Sequence, residues 1–72
     1  MSEFKYEIKE RLVVLSNKNG YTKEFNIVSF NNGEPMYDIR KWNTNEDRMM
    51  KGISLNKEEL LALRDKLNEI SI

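Results

Sequence analysis

Apolar and polar positions alternate along the first third of the chain. Phe4, Tyr6, Ile8, Leu12 and Val14 fall on every second position, interrupted at Glu10. That spacing sets side chains on one side of a β-strand and predicts a strand over Phe4–Ser16. Val13 and Leu15 make its far end apolar on both faces, as in a strand covered from two sides. Asn17-Lys18-Asn19-Gly20 follows, and Asn-Gly is a strong hairpin signal. Tyr21–Phe30 reads as a second strand, with Phe25 and Ile27 on one face and Val28 and Phe30 on the other. Asn31-Asn32-Gly33-Glu34-Pro35 is the next turn. In a third strand, Met36–Trp42, Tyr37 and Ile39 alternate with Asp38, Arg40 and Trp42. The polar loop Asn43–Arg48 leads to a short fourth strand around Met50–Leu55. Six of the nine asparagines (17, 19, 31, 32, 43 and 45) fall in the three connections. Asparagine tolerates left-handed backbone, so the clustering supports these boundaries.

The period then changes. Asn56 precedes Glu59 by three positions, a capping-box pair with Asn in place of Ser or Thr. Leu60, Leu63, Leu67 and Ile70 recur at helical spacing, and Leu61 and Ala62 widen the stripe. A helix of about 14 residues is about 21 Å long and carries more apolar surface than one contact needs. One flank can lie on the sheet and another on a second copy of the helix; alternatively, all the leucines form one core. The fold class is α+β, an antiparallel β-meander followed by one C-terminal helix, ββββα.

Length limits the core. The chain has 72 residues and reads as one domain, 1–72. A domain of this size buries only about 60% of its unfolded surface. Without disulfides or metal such chains often oligomerise, so a homodimer through Leu60, Leu63, Leu67 and Ile70 is expected. The absence of Cys and His removes disulfides, Ser-His-Asp and Cys-His catalysis, and the common zinc centres. No apolar run approaches a membrane span, and Met1–Lys9 does not read as a signal peptide. These observations predict a cytoplasmic, nucleoid-compatible location, no cofactor and no metal.

An enzyme would have to draw its acid, base or nucleophile from Lys, Asp, Glu, Tyr, Ser or Thr. Glu46-Asp47 is the nearest to a pair, and it reads as a solvated turn. The three glycines are isolated, so no phosphate-binding loop is present. A non-enzymatic binding protein is expected. The alternation of the third strand suggests how it binds. If Tyr37 and Ile39 face the core, Arg40 and Trp42 are displayed outward together, with Phe30 nearby and Arg48 and Lys51 flanking the fourth strand. Aromatic and cationic side chains together suit stacking on bases and contact with phosphates. Trp42 can equally be a core aromatic, and Arg40 the cross-strand partner of an acid such as Glu24. Twelve basic residues balance twelve acidic ones, so any electrostatic footprint must come from segregation in space.

Tyr37-Asp38-Ile39-Arg40-Lys41-Trp42 and Met50-Lys51-Gly52-Ile53-Ser54-Leu55, joined by a short polar loop and followed by a capped helix, resemble the transcriptional positive cofactor four family. With Gly20-Tyr21 and Val28-Ser29-Phe30-Asn31, the whole chain is similar to its small bacterial, YdbC-type branch. The resemblance implies a homodimer of curved four-stranded sheets with the helices at the interface. It also implies coactivator-like binding of single-stranded DNA with little sequence preference, and leaves RNA open. By position it assigns base stacking to Phe30 and, at or beside the second stacking aromatic, to Trp42. Arg40 and Lys51 match the family's arginine and lysine. Met50 stands where eukaryotic members place a basic residue. A protein-interaction module using the same aromatic and arginine surface is the alternative.

Overall fold

A computed structural model describes residues 5–72; the predicted strand start at Phe4 lies outside them. The elements are β1 (Tyr6–Lys18), β2 (Tyr21–Phe30), β3 (Met36–Asn43), β4 (Arg48–Leu55) and α1 (Lys57–Glu69). The strands form one antiparallel sheet in the order β1-β2-β3-β4. The ββββα reading is therefore correct, with β1 two residues longer at its end than the apolar alternation indicated. Asn17 and Lys18 join the ladder because the turn needs only two residues. Asn19 (φ 53°) and Gly20 (φ 81°) both take left-handed backbone, the requirement of a tight hairpin matched to strand twist.

Three register shifts interrupt the β1–β2 ladder, between Ile8 and Glu10, Arg11 and Val13, and Val14 and Ser16. Each extra residue bends the strand and increases local twist. The sheet accordingly curls toward one face. Tyr6 pairs with Phe30 at one end of β2, and Trp42 with Thr22 at the other. Eight positions along a flat strand would separate those levels by about 26 Å, yet the Tyr6 and Trp42 rings meet with centroids 5.5 Å apart.

The curled face carries Thr22, Glu24, Asn26, Val28, Asp38 and Trp42, all buried. The opposite face carries Phe25, Ile27, Tyr37 and Ile39, all half-buried, and receives α1. Gly52 is needed where β4 passes Arg40. A Cβ there would lie 2.6 Å from Arg40 Cα and 2.5 Å from the Ile39 carbonyl oxygen, so the glycine allows backbone-to-backbone approach.

The capping box is complete. The Glu59 N–H donates to Asn56 Oδ1 at 2.8 Å, and the Asn56 N–H to Glu59 Oε1 at 2.8 Å. Glu58 and Glu59 in the first turn and Lys66 in the last complement the helix dipole. No residue of α1 is buried. Leu63, Leu67 and Ile70 remain 39–48% exposed, so the leucines do not form one core within a single chain. Between α1 and the sheet lies an apolar groove of about 530 Å³, lined by Leu15, Phe25, Ile39, Leu60, Leu63 and Leu67. Among the described residues no helix is long and apolar enough to cross a membrane.

Candidate nucleic-acid interface

Two carboxylates are buried inside the curl, and each is satisfied by its own arginine. Asp38 is fully buried. It accepts from Arg40 Nε at 2.8 Å and Arg40 Nη2 at 2.8 Å, and from Ser54 Oγ at 2.9 Å. Arg40 also donates through Nη1 to the Met50 carbonyl, 2.8 Å away, tying β3 to β4. Glu24 accepts from Thr22 Oγ1 at 2.6 Å, Asn26 Nδ2 at 3.0 Å and Arg11 Nη1 at 3.0 Å. The register sets Glu24 directly opposite Arg40, as the cross-strand alternative required, but the guanidinium turns along its own strand to Asp38. The planar fork matches a carboxylate two residues away bidentately, and Arg11 takes Glu24 instead.

Burial pushes the Glu24 carboxyl up, but hydrogen bonds from Thr22 and Asn26 and the Arg11 charge outweigh it. The net shift is downward from 4.5. A carboxylate depressed in the folded state stabilises the fold above its unfolded pKa, and that stabilisation is lost as pH falls through the folded value. Glu24→Gln should therefore flatten the acid side of the stability profile. Urea midpoints of both proteins between about pH 7 and pH 3 check this.

Phe30, Arg40 and Trp42 do share one face. The Arg40 guanidinium carbon lies 5.4 Å from the Phe30 ring centroid, within cation–π range. Trp42, however, is not displayed outward: it is 5% exposed. The curl and the Tyr6 ring enclose it, and among the described residues its Nε1 has no hydrogen-bond partner. The expectation failed because it assumed a sheet with one covered face, whereas this sheet covers both.

Arg48 and Lys51 are not brought onto that face. Arg48 pairs with Asn43, which alternates with Trp42 and so lies on the face of Ile39. Lys51 precedes Gly52, itself opposite Arg40, so it too turns to the Ile39 side. Both are exposed. Among the described residues neither has a carboxylate within ion-pairing distance.

Sequence reading missed the Arg11–Glu24 pair, because the β1 register shifts that align them leave no periodic signal. It also missed the segregation of charge. Among the described residues the curled face is neutral by pairing, two arginines against two acids, and the sheet's cations without an ion-pair partner gather on the other side. Glu46 accepts from Asn43 Nδ2 at 2.9 Å and Asp47 has φ 50°, so the acidic pair is a turn. Among the described residues no cluster of acidic side chains could hold a metal ion.

A family model described as Transcriptional Coactivator p15 (PC4) matches residues 17–66, from the end of β1 into α1. An uncharacterized protein of Treponema pallidum (strain Nichols) is 38% identical over 71 residues, covering 97% of this chain and 84% of its own length.

Proposed function

The chain belongs to the Transcriptional Coactivator p15 (PC4) family, and from that premise we propose that it binds single-stranded DNA as a homodimer, with little sequence preference. The family is known for nucleic-acid binding and coactivation. The observation that carries the reading is the Phe30 ring under the Arg40 guanidinium on the curled face. Bases stack on Phe30. Arg40 holds that ring; three of its N–H groups are engaged, which leaves two of five for a phosphate oxygen. Its charge is already offset by Asp38, so the electrostatic share of binding falls to Lys51 and Arg48, which leave β4, an edge strand, on the Ile39 side and meet the phosphates where the bound strand passes around that edge. Trp42 packs against the Tyr6 ring inside the curl and supports its shape.

Stacking reaches unpaired bases but not those inside a duplex. Single strands should bind at least about tenfold tighter than duplex, or ~1.4 kcal/mol. Phe30→Ala should cost roughly 1–3 kcal/mol of that affinity without altering its salt dependence. Lys51→Gln should instead lower the log–log salt slope by about 0.7, the single-strand value per neutralised charge. Titrations of mixed-sequence single-stranded DNA, RNA and duplex at several salt concentrations read all three. Equal affinity for single strand and duplex would reject stacking.

The apolar groove and the exposed Leu63, Leu67 and Ile70 support a dimer with the two helices packed together. With 39–48% of each still exposed, burying the remainder is worth about 1 kcal/mol apiece. Leu63→Glu should therefore leave a monomer under conditions where the parent chain sediments as a dimer. A parent that sediments as a monomer at micromolar concentration would remove the dimer from the proposal.

A further inference from the structure

At the hairpin end of the sheet, on the face that bears α1, lies a hollow of about 360 Å³ lined by Lys18, Lys23, Lys41, Tyr21, Ser16 and Asn19, with no carboxylate in its lining. Lys23 and Lys41 are direct cross-strand partners. Like charges in that arrangement repel, and among the described residues neither has an acid in ion-pairing range. The Lys41 ammonium sits 4.7 Å over the Tyr21 ring, which holds the cation toward the hollow. Lys18 pairs with Tyr21 across the hairpin and so lies on the same side. The rim is fixed: the Thr44 N–H and Oγ1 donate to the Gly20 carbonyl at 2.8 Å and 2.7 Å, pinning the β3–β4 loop to the hairpin. Three converging cations on pinned backbone, two of them set against each other, form a surface that an anion relieves. Hydroxyl and amide groups beside them add donors for tetrahedral oxygens.

We propose that Lys18, Lys23 and Lys41 form a phosphate-binding site, with Tyr21 as its wall, on the opposite face of the sheet from Phe30 and Arg40. Its ligand is a phosphate group, carried by a nucleic-acid backbone or free. The site does not depend on stacking at Phe30.

The test is a titration of the full chain with inorganic phosphate, balanced against sodium chloride at constant ionic strength and followed by backbone amide chemical shifts. Saturable shifts at Lys18, Tyr21, Lys23 and Lys41 are expected. Lys41→Gln should weaken the response at least about fivefold, the factor for one charge–charge contact at 4 Å in water. Melting curves show whether that variant is folded; relief of the Lys23 repulsion and loss of the Tyr21 ring contact oppose each other, so its midpoint should stay close to the parent's. Shifts that are linear in phosphate, equal in chloride, or unchanged in Lys41→Gln would overturn the site. A single-stranded oligonucleotide lacking terminal phosphates identifies the source. If it produces the same shifts and competes with phosphate, the ligand is a backbone phosphodiester; if it leaves them untouched, the site takes free phosphate. Phe30→Ala separates this site from the stacking surface, since the phosphate response should survive in it even where oligonucleotide affinity falls.

Discussion

Asp38→Ala is expected to destabilise the fold by about 3–5 kcal/mol, the range for removing one partner of a buried ion pair. Asp38 is fully buried and accepts three hydrogen bonds, two of them from Arg40. Truncation leaves an arginine whose side chain is 13% exposed without its counter-charge, and leaves the Ser54 hydroxyl without an acceptor. A chain of this length has a total stability of only about 4–11 kcal/mol, so the variant should be largely unfolded or close to it. Asp38→Asn keeps the shape but not the charge and should recover only part of the loss. The double variant Asp38→Leu with Arg40→Met should be less damaged than Asp38→Ala, because replacing both ions leaves no unpaired charge. Urea denaturation of the parent and the three variants ranks them. An Asp38→Ala protein within about 1 kcal/mol of the parent would show that the pair is solvated, as exposed pairs are.

Trp42→Ala is the second large effect, again about 3–5 kcal/mol, from lost burial and the cavity left behind. The side chain fills the inside of the curl against Tyr6, so truncation removes the contact that holds the start of β1 over β3. Trp42→Phe should be much milder. It keeps an aromatic ring and discards the indole N–H, which is buried with no partner among the described residues and so carries a desolvation penalty of about 1–3 kcal/mol. Thermal melting ranks the variants. Binding by the folded fraction of Trp42→Ala should be weakened only indirectly. A Trp42→Ala protein that melts like its parent but loses single-strand affinity would place Trp42 on the stacking surface and not in the interior.

The local signals were strong where backbone conformation is decided by neighbours in sequence. Asn19-Gly20 specified a two-residue hairpin because both positions need positive φ. Asn31, Asn32 and Asp47 mark the other two connections for the same reason. Asn56 and Glu59 specified the helix start because the box closes within one turn. The alternation in β2 and β3 placed Phe25 with Ile27, and Arg40 with Trp42, on the sides where the sheet has them. The joined motifs around Arg40 and Gly52 pointed to the family that the comparison then showed.

What the alternation could not express is curvature. Period 2 states which residues share a face, but not whether that face is flat and open or rolled up. The three β1 register shifts add one residue at a time without changing composition, and they set how far Tyr6 reaches toward Trp42. The curl converted an expected display surface into an interior and buried the Asp38 and Glu24 side chains, the first with its arginine and the second with an arginine that stays exposed. It also committed Arg40 to a partner on its own strand. The zero net charge gave no hint of the separation that resulted: among the described residues both arginine–carboxylate pairs of the sheet lie inside the curl, while Lys23, Lys41 and Lys51 lie outside it without an ion-pair partner. Conformation and face are settled by residues one to four positions apart, so they were determined by the sequence alone. Burial, charge pairing and the placement of free cations depend on contacts across strands, and only the tertiary structure decided them.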